Sequence, residues 1–317
     1  MNDLRALPKL RDSLSFVYLE HARIERKDGA LAAFDVNGET HLPVAALGVL
    51  LLGPGTAITQ EAVRTAVDSG CSLIWTGENG VRVYAQGLGE TRSAVRLLRQ
   101  AHLHARADAR MAVVLKMYEK RFGEKLANDL SIEQIRGKEG VRVRSAYASA
   151  GRETGVSWEG RNYDRGDWYA ADPVNRALSA AAACLYGICH CAIISAGYST
   201  ALGFIHTGKL LSFVYDVADL YRVELTIPVA FEAAAAHGRD GQLDIERQTR
   251  LRCRDIFKKH DLLDRVVRDI DDLMSVESKD VERAHAYVDG PDDPPGWIWD
   301  PSAVPLDGGV NHGPDPA

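Results

Sequence analysis

The sequence predicts an α+β protein: a small N-terminal β-sandwich-like domain over residues 1–88, a larger all-α-helical domain over 89–288, and a flexible tail rich in Pro, Gly and Asp over 289–317. Asp-Gly and Asn-Gly pairs punctuate β-prone runs as far as about Gln86. From about Thr91 the apolar spacing changes to three and four residues, and after Gly290 apolar residues thin out. A chain of 317 residues also exceeds the length of about 100 to 200 residues usual for one domain.

Taken in order, SFVYLEHARIER reads as strand, followed by a turn at Lys27-Asp28-Gly29, then ALAAFDV, a turn at Asn37-Gly38, and HLPVAALGVLLL. A short helix spans about Thr59 to Asp68, and SLIWT pairs with VRVYA across Glu78-Asn79-Gly80. SAVRLLRQAHLHARADARMAVVLKMYEKRF reads as one amphipathic helix with a basic outer face. Ser131 and Gln134 form a capping box that opens a helix through Glu139 toward Ala150. Asp172-Pro173 starts another, since aspartate caps and proline fits the first helical position. That helix runs to Gly197, is apolar nearly all round, and so belongs at the centre of the helical domain. The tail PDDPPGWIWDPSAVPLDGG has too little apolar surface to order itself, yet Trp297, Ile298 and Trp299 within it mark a docking segment.

No run of eighteen or more apolar residues is apparent, and MNDLRALPKLRDSLSF lacks the features of a signal peptide, so the expected location is cytoplasmic with no membrane partner. Five cysteines, an odd number without paired CxxC spacing, suit reduced core thiols. Cys189-His190-Cys191 reads as structural, because neighbours on a helix point apart and no second ligand pair follows. The net charge of −6 hides a segregation: Arg82 to Arg144 carries 14 Lys/Arg against 7 Asp/Glu, whereas Asp261 to the end carries 4 against 14. A basic middle suits a polyanionic partner, and two solvated faces would produce the same counts.

The stretch FIHTGKLLSFVYDVADLY, residues 204–221, sets a histidine and two aspartates into apolar surroundings. If Ser212 onward is helical, Asp216 and Asp219 share a face, and their repulsion calls for a cation or a shared proton. Carboxylates with an imidazole suit Mg²⁺ or Mn²⁺ and metal-assisted phosphoryl transfer. Spacing alone equally allows an ordinary interhelical turn in which His206 is structural and Lys209 neutralises an aspartate.

Several separate segments carry a resemblance: LPVAALGVLLLGPGT, IEQIRGKEGVRVRSAYA, NYDRGDWYAADPVNRALSAAAACLYG and SAGYSTALGFIHTGKLLSFVYDVADLYR. Together they resemble CRISPR-associated protein one, the integrase subunit of the CRISPR adaptation machinery, in its type I-E form, from about Leu14 to Met274. The resemblance implies catalytic residues Glu139, His206, Asp216 and Asp219, with Glu139, His206 and Asp219 around a divalent metal, Mg²⁺ or Mn²⁺. Gly140 beside Glu139 leaves room for another helix or a phosphate. Taken alone, Glu139 also reads as a salt bridge with Arg136 or Arg142.

The implied reaction joins the 3′-hydroxyl of a captured double-stranded DNA to the edge of a CRISPR repeat. Lys209 would meet a phosphate or base near the scissile bond. Tyr163, Trp168 and Tyr186 match family aromatics that stack on bases or pack the pocket. Arg64, Arg82 and the arginines from Arg92 to Arg110 would track duplex phosphates. His21 stands where members of the subtype can carry a tyrosine that wedges the duplex end; an imidazole also stacks. The implied assembly is a homodimer, two of which flank a dimer of CRISPR-associated protein two. A general metal-dependent nuclease for branched or repair DNA would use the same four residues with water as nucleophile, and a non-catalytic scaffold would use the metal for structure alone.

Overall fold

Strands β1 (Phe16–Leu19), β2 (Arg23–Lys27), β3 (Ala30–Asp35), β4 (Gly38–Leu42), β5 (Val49–Leu52) and β6 (Ala57–Ile58) precede helix α1 (Gln60–Asp68), and β7 (Ser72–Thr76) and β8 (Val83–Gly87) follow it. They form two four-stranded sheets, ordered β1-β5-β7-β8 and β4-β3-β2-β6. In the first, β1, β5 and β7 are parallel and β8 is antiparallel to β7. In the second, β2, β3 and β4 form an antiparallel meander, with β6 parallel to β2. The computed structural model describes residues 16–276, apart from 29, 45–46, 81, 88–93, 128–129, 161–171 and 241–243. The expected docking segment at Trp297, Ile298 and Trp299 lies outside the described residues, as do Arg92, Tyr163 and Trp168.

Two runs that read as single stretches of strand are divided between the sheets. SFVYLEHARIER breaks at His21, whose φ of 52° turns the chain over while its N–H donates to the carbonyl of Pro54 at 2.9 Å. HLPVAALGVLLL ends β4 at Leu42 and begins β5 at Val49. Alternating hydrophobicity shows that a segment is extended; it does not show which sheet receives it.

All four residues of β5 are buried. Leu50 and Leu52 pack between the sheets with Ile24, Leu31, Leu42 and Leu73, whereas Val49 and Leu51 join Ile74 in the core of the helical domain. A parallel strand covered on both faces reads as an unbroken apolar run, which is why VLLL shows no alternation.

Helices α2 (Val95–Ala105), α3 (Ala107–Phe122), α4 (Ile132–Thr154), α5 (Pro173–Ser195), α6 (Ser212–Ala218), α7 (Ile227–Arg239), α8 (Ile245–Lys259) and α9 (Leu262–Met274) follow, with a π-helical turn at Arg222–Thr226 leading into α7. The expected caps are present. Ser131 and Gln134 close a capping box, at 3.3 and 2.7 Å, and Asp172 accepts from the N–H of Asn175 at 2.8 Å ahead of Pro173. Helix α5 packs against α6, α7, α8 and α9 and is the central element. An 18-residue window of it has a mean hydropathy of 1.9, so the helix is long and apolar enough to cross a membrane even though Ser179 and His190 interrupt its apolar run. Since 67% of that window is buried inside the protein, its hydrophobicity is used as core. At Gly187 a Cβ would collide with the carbonyl of Gly80, so glycine there lets α5 touch the turn before β8.

The predicted single basic helix is two helices, broken where Arg106 takes extended dihedrals (φ −102°, ψ 123°). Its cations also turn inward. Arg96 forms a two-point pair with Asp271 at 2.7 and 2.9 Å, Arg99 donates to the carbonyl of Met274 at 3.0 Å, and Arg110 donates to that of Phe204 at 2.7 Å. Lys120 meets Asp269 at 2.8 Å. Part of the charge segregation is therefore the two sides of one internal contact: basic α2 and α3 against acidic α9. Arg96 and Arg99 are committed there, Arg110 is turned onto the carbonyl of Phe204 in the loop before α6, and Arg106 of the same run stays exposed beside Asp108.

Candidate active site

The loop between α5 and α6 is tied down from several sides. Buried Gln100 on α2 donates to the carbonyls of Ser199 and Leu202, both at 3.0 Å, and accepts from the N–H of Ser199 at 2.8 Å. A Cβ on Gly203 would run into the carbonyl of His206, so the tight fold of this loop requires glycine.

Inside the loop sits Asp216 from α6, with no exposed surface. Its carboxylate accepts the backbone N–H groups of Phe204 (2.6 Å), Ile205 (3.0 Å) and His206 (2.9 Å) and meets Nδ1 of His206 at 2.7 Å. Four partners offset the cost of burying the charge. The contact to Nδ1 orients the imidazole and leaves Nε2 as the free nitrogen. This hydrogen bond also raises the pKa of His206.

Asp216 and Asp219, three residues apart on helical backbone, take different partners, although the carboxylate of Asp219 also helps raise the pKa of His206. Asp219, the C-cap of α6, turns instead toward two arginines: Arg222 approaches Oδ1 at 2.8 Å and Arg121 approaches Oδ2 at 3.6 Å. The buried Oδ1 nevertheless accepts no well-aligned hydrogen bond. Glu139, on α4, is held by Arg142 at 2.9 and 3.2 Å, so the pairing read from spacing exists. Arg121 lies 3.8 Å from Glu139 Oε1 as well. A Cβ on Gly140 would meet only Nη1 of Arg144, at 3.5 Å, so no second helix packs over it and the space beside Glu139 stays open.

An aromatic shelf adjoins the histidine. Tyr215 stands edge-on to His206, with ring centres 6.0 Å apart, and to Tyr186, at 5.1 Å. The Tyr186 hydroxyl accepts from Arg222 at 2.8 Å. Arg222 belongs to the π-helical turn, a local unwinding often found at functional sites. Lys209 is exposed three residues past His206, its backbone N–H bound to Ser212 Oγ at 3.0 Å. A groove of about 710 Å³, lined by Phe122, Lys138, Arg142, Ser145 and Val223, runs beside Glu139. Arg64 is on the open surface of α1, and Arg82 just precedes β8, its backbone nitrogen beside Gly187 of α5.

Sequence reasoning missed Arg121, Tyr215 and Gln100. Tyr215 is the neighbour of Asp216 within a motif already singled out. Arg121 carries a signal too: it continues the buried stripe Val114, Met117, Tyr118 of α3 at helical spacing, where a cation needs a buried partner.

The donors fit a hard divalent ion in kind: two carboxylates, an imidazole whose Nε2 is free, and a carboxylate oxygen with an unmet hydrogen-bonding requirement. Among the described residues no three His, Cys, Asp or Glu side chains converge closely enough to hold an ion as they stand. Guanidinium groups occupy Glu139 and Asp219 instead.

A family model described as CRISPR associated protein Cas1 matches residues 118–253, a span that includes Glu139, His206, Asp216 and Asp219. CRISPR-associated endonuclease Cas1 2 of Thermus thermophilus is 49% identical over 320 residues, covering 99% of this chain and 94% of its own length. CRISPR-associated endonuclease Cas1 of Escherichia coli is 44% identical over 267 residues, covering 84% and 86%. A solved TtCas1–DNA complex has 52% sequence identity and a TM-score of 0.76, covering 86% of this chain and 100% of that one.

Proposed function

From the premise that the chain belongs to the CRISPR associated protein Cas1 family, we propose that it is a divalent-metal-dependent DNA endonuclease and integrase of CRISPR adaptation, in the type I-E form. It joins the 3′-hydroxyl ends of captured DNA to a CRISPR repeat by transesterification. The observations that carry this reading are the pairing of His206 with a fully buried Asp216, which leaves Nε2 free, and the approach of Arg121 to both Glu139 and Asp219. The T. thermophilus and E. coli relatives, named as endonucleases, and the DNA-bound TtCas1 support the substrate class.

Glu139, His206 and Asp219 would hold Mg²⁺ or Mn²⁺, which when bound neutralises phosphoryl oxygens and activates an oxygen nucleophile. Asp216 is the positioning residue of the set: it fixes the ring of His206 and the backbone that carries it. Tyr186 and Tyr215 offer ring surface to an unpaired base, and Lys209 offers a point charge to a phosphate next to His206. Arg64 and Arg82 contact duplex phosphates independently of sequence. The working assembly is cytoplasmic, with homodimers flanking a dimer of CRISPR-associated protein two.

The test is a strand-transfer assay on a supercoiled plasmid carrying a repeat, with and without the partner protein. Plasmid products that contain donor DNA support integration. Nicks without donor joining would replace it with the general endonuclease reading.

A further inference from the structure

Arg121 lies in the last turn of α3 with its side chain only 3% exposed. Among the described residues it is the cation that reaches both carboxylates of the proposed site, Glu139 on α4 at 3.8 Å and Asp219 on α6 at 3.6 Å. Its Nη2 also donates to the backbone carbonyl of Asp216 at 3.2 Å, and its guanidinium lies over the ring of Tyr118 at 5.2 Å. Arg142 and Arg222 differ from it. Each pairs with one carboxylate three residues away in its own stretch of chain, and each is 25% or more exposed, so each has room to swing into solvent. Arg121 comes from a third helix and is enclosed.

Two carboxylates brought together from different helices repel unless a cation lies near both. We infer that Arg121 is the resident counter-cation of Glu139 and Asp219, a positioning residue that holds the pair together before a divalent ion arrives and opposes the ion by its own charge once it does. The inference rests on the reading that Glu139 and Asp219 bind such an ion. Replacing Arg121 with a neutral residue leaves a less compensated pair of carboxylates. Such a pair destabilises the ion-free protein and attracts a divalent cation more strongly.

The experiment titrates Mn²⁺ into the full-length protein, wild type, Arg121→Gln and Arg121→Lys, by calorimetry and by the loss of the free-ion paramagnetic resonance signal. Thermal melts in EDTA and in Mn²⁺ accompany the titrations. Arg121→Gln is expected to bind Mn²⁺ about tenfold more tightly than wild type. It should also melt earlier in EDTA and recover in Mn²⁺, while Arg121→Lys, which keeps the charge, stays near the wild-type affinity. A folded Arg121→Gln with unchanged or weaker Mn²⁺ affinity overturns the inference and leaves the metal reading standing. Wild-type protein that takes up no Mn²⁺ overturns both. If Arg121→Gln folds only when Mn²⁺ is present, the inference is supported; if it is unfolded in EDTA and in Mn²⁺ alike, Arg121 is a structural residue and the inference falls.

Discussion

Asp216 and His206 meet at 2.7 Å, yet one is wholly buried and the other has a side chain 45% exposed, so a single hydrogen bond links the protein interior to the working surface. Asp216→Ala strands three backbone N–H groups and frees the imidazole. The expected loss is about 3 kcal/mol, within the range for breaking a buried charged network. Asp219→Asn keeps its shape in a partly exposed position and is expected to cost less. Both variants should lose strand joining, and denaturant melts separate them; equal stability losses would contradict the assignment of Asp216 as the positioning residue.

Arg96 and Arg64 are both arginines on helices that sequence reading directs toward DNA, and the structure gives them opposite surroundings. Arg96→Ala leaves Asp271 partly buried with only the Tyr198 hydroxyl, at 2.6 Å, beside it. A loss of about 3 kcal/mol is expected, with no change in the salt dependence of DNA affinity. Arg64 has a side chain 71% exposed, so Arg64→Ala should change stability by less than about 1 kcal/mol. It should also lower the slope of log affinity against log salt by about one. Affinity measured at several salt concentrations decides between the two.

The two cysteines flanking His190 are buried, and burial raises both thiols, Cys191 to about 12. Iodoacetamide at pH 8 should leave Cys189 and Cys191 unmodified in the folded protein and label both after denaturation, as read by mass spectrometry. Labelling of the native protein at either position would show that this part of α5 opens.

Gly187→Ala places a methyl group against the backbone of Gly80. Overpacking at this contact is expected to destabilise by about 1–3 kcal/mol. The melt should remain a single transition, because the contact joins the strand-rich and helical parts of the molecule. A variant in which one part melts well before the other would argue that the two are independent.

The capping residues Ser131 and Asp172 were legible because capping is local chemistry, whereas Glu139, His206 and Asp219 were singled out only because each lies in a motif tied to a family. What stayed hidden depends on partners distant in sequence. Arg96 looks like a solvent-facing cation until Asp271, 175 residues later, arrives beside it. The spacing that set Asp216 and Asp219 three apart on a helix could not show that Asp219 would be met by Arg121 from a helix almost a hundred residues earlier. His21 hid the strand break because a left-handed histidine leaves no pattern in hydrophobicity.

Strand β5 gives Leu50 and Leu52 to one core and Val49 and Leu51 to the other. Strand β7 divides Leu73 and Ile74 between the cores in the same way. Pulling the strand-rich end away from the helical one would strip apolar cover from alternate side chains of the same two strands, so the cost of separation falls on both cores at once.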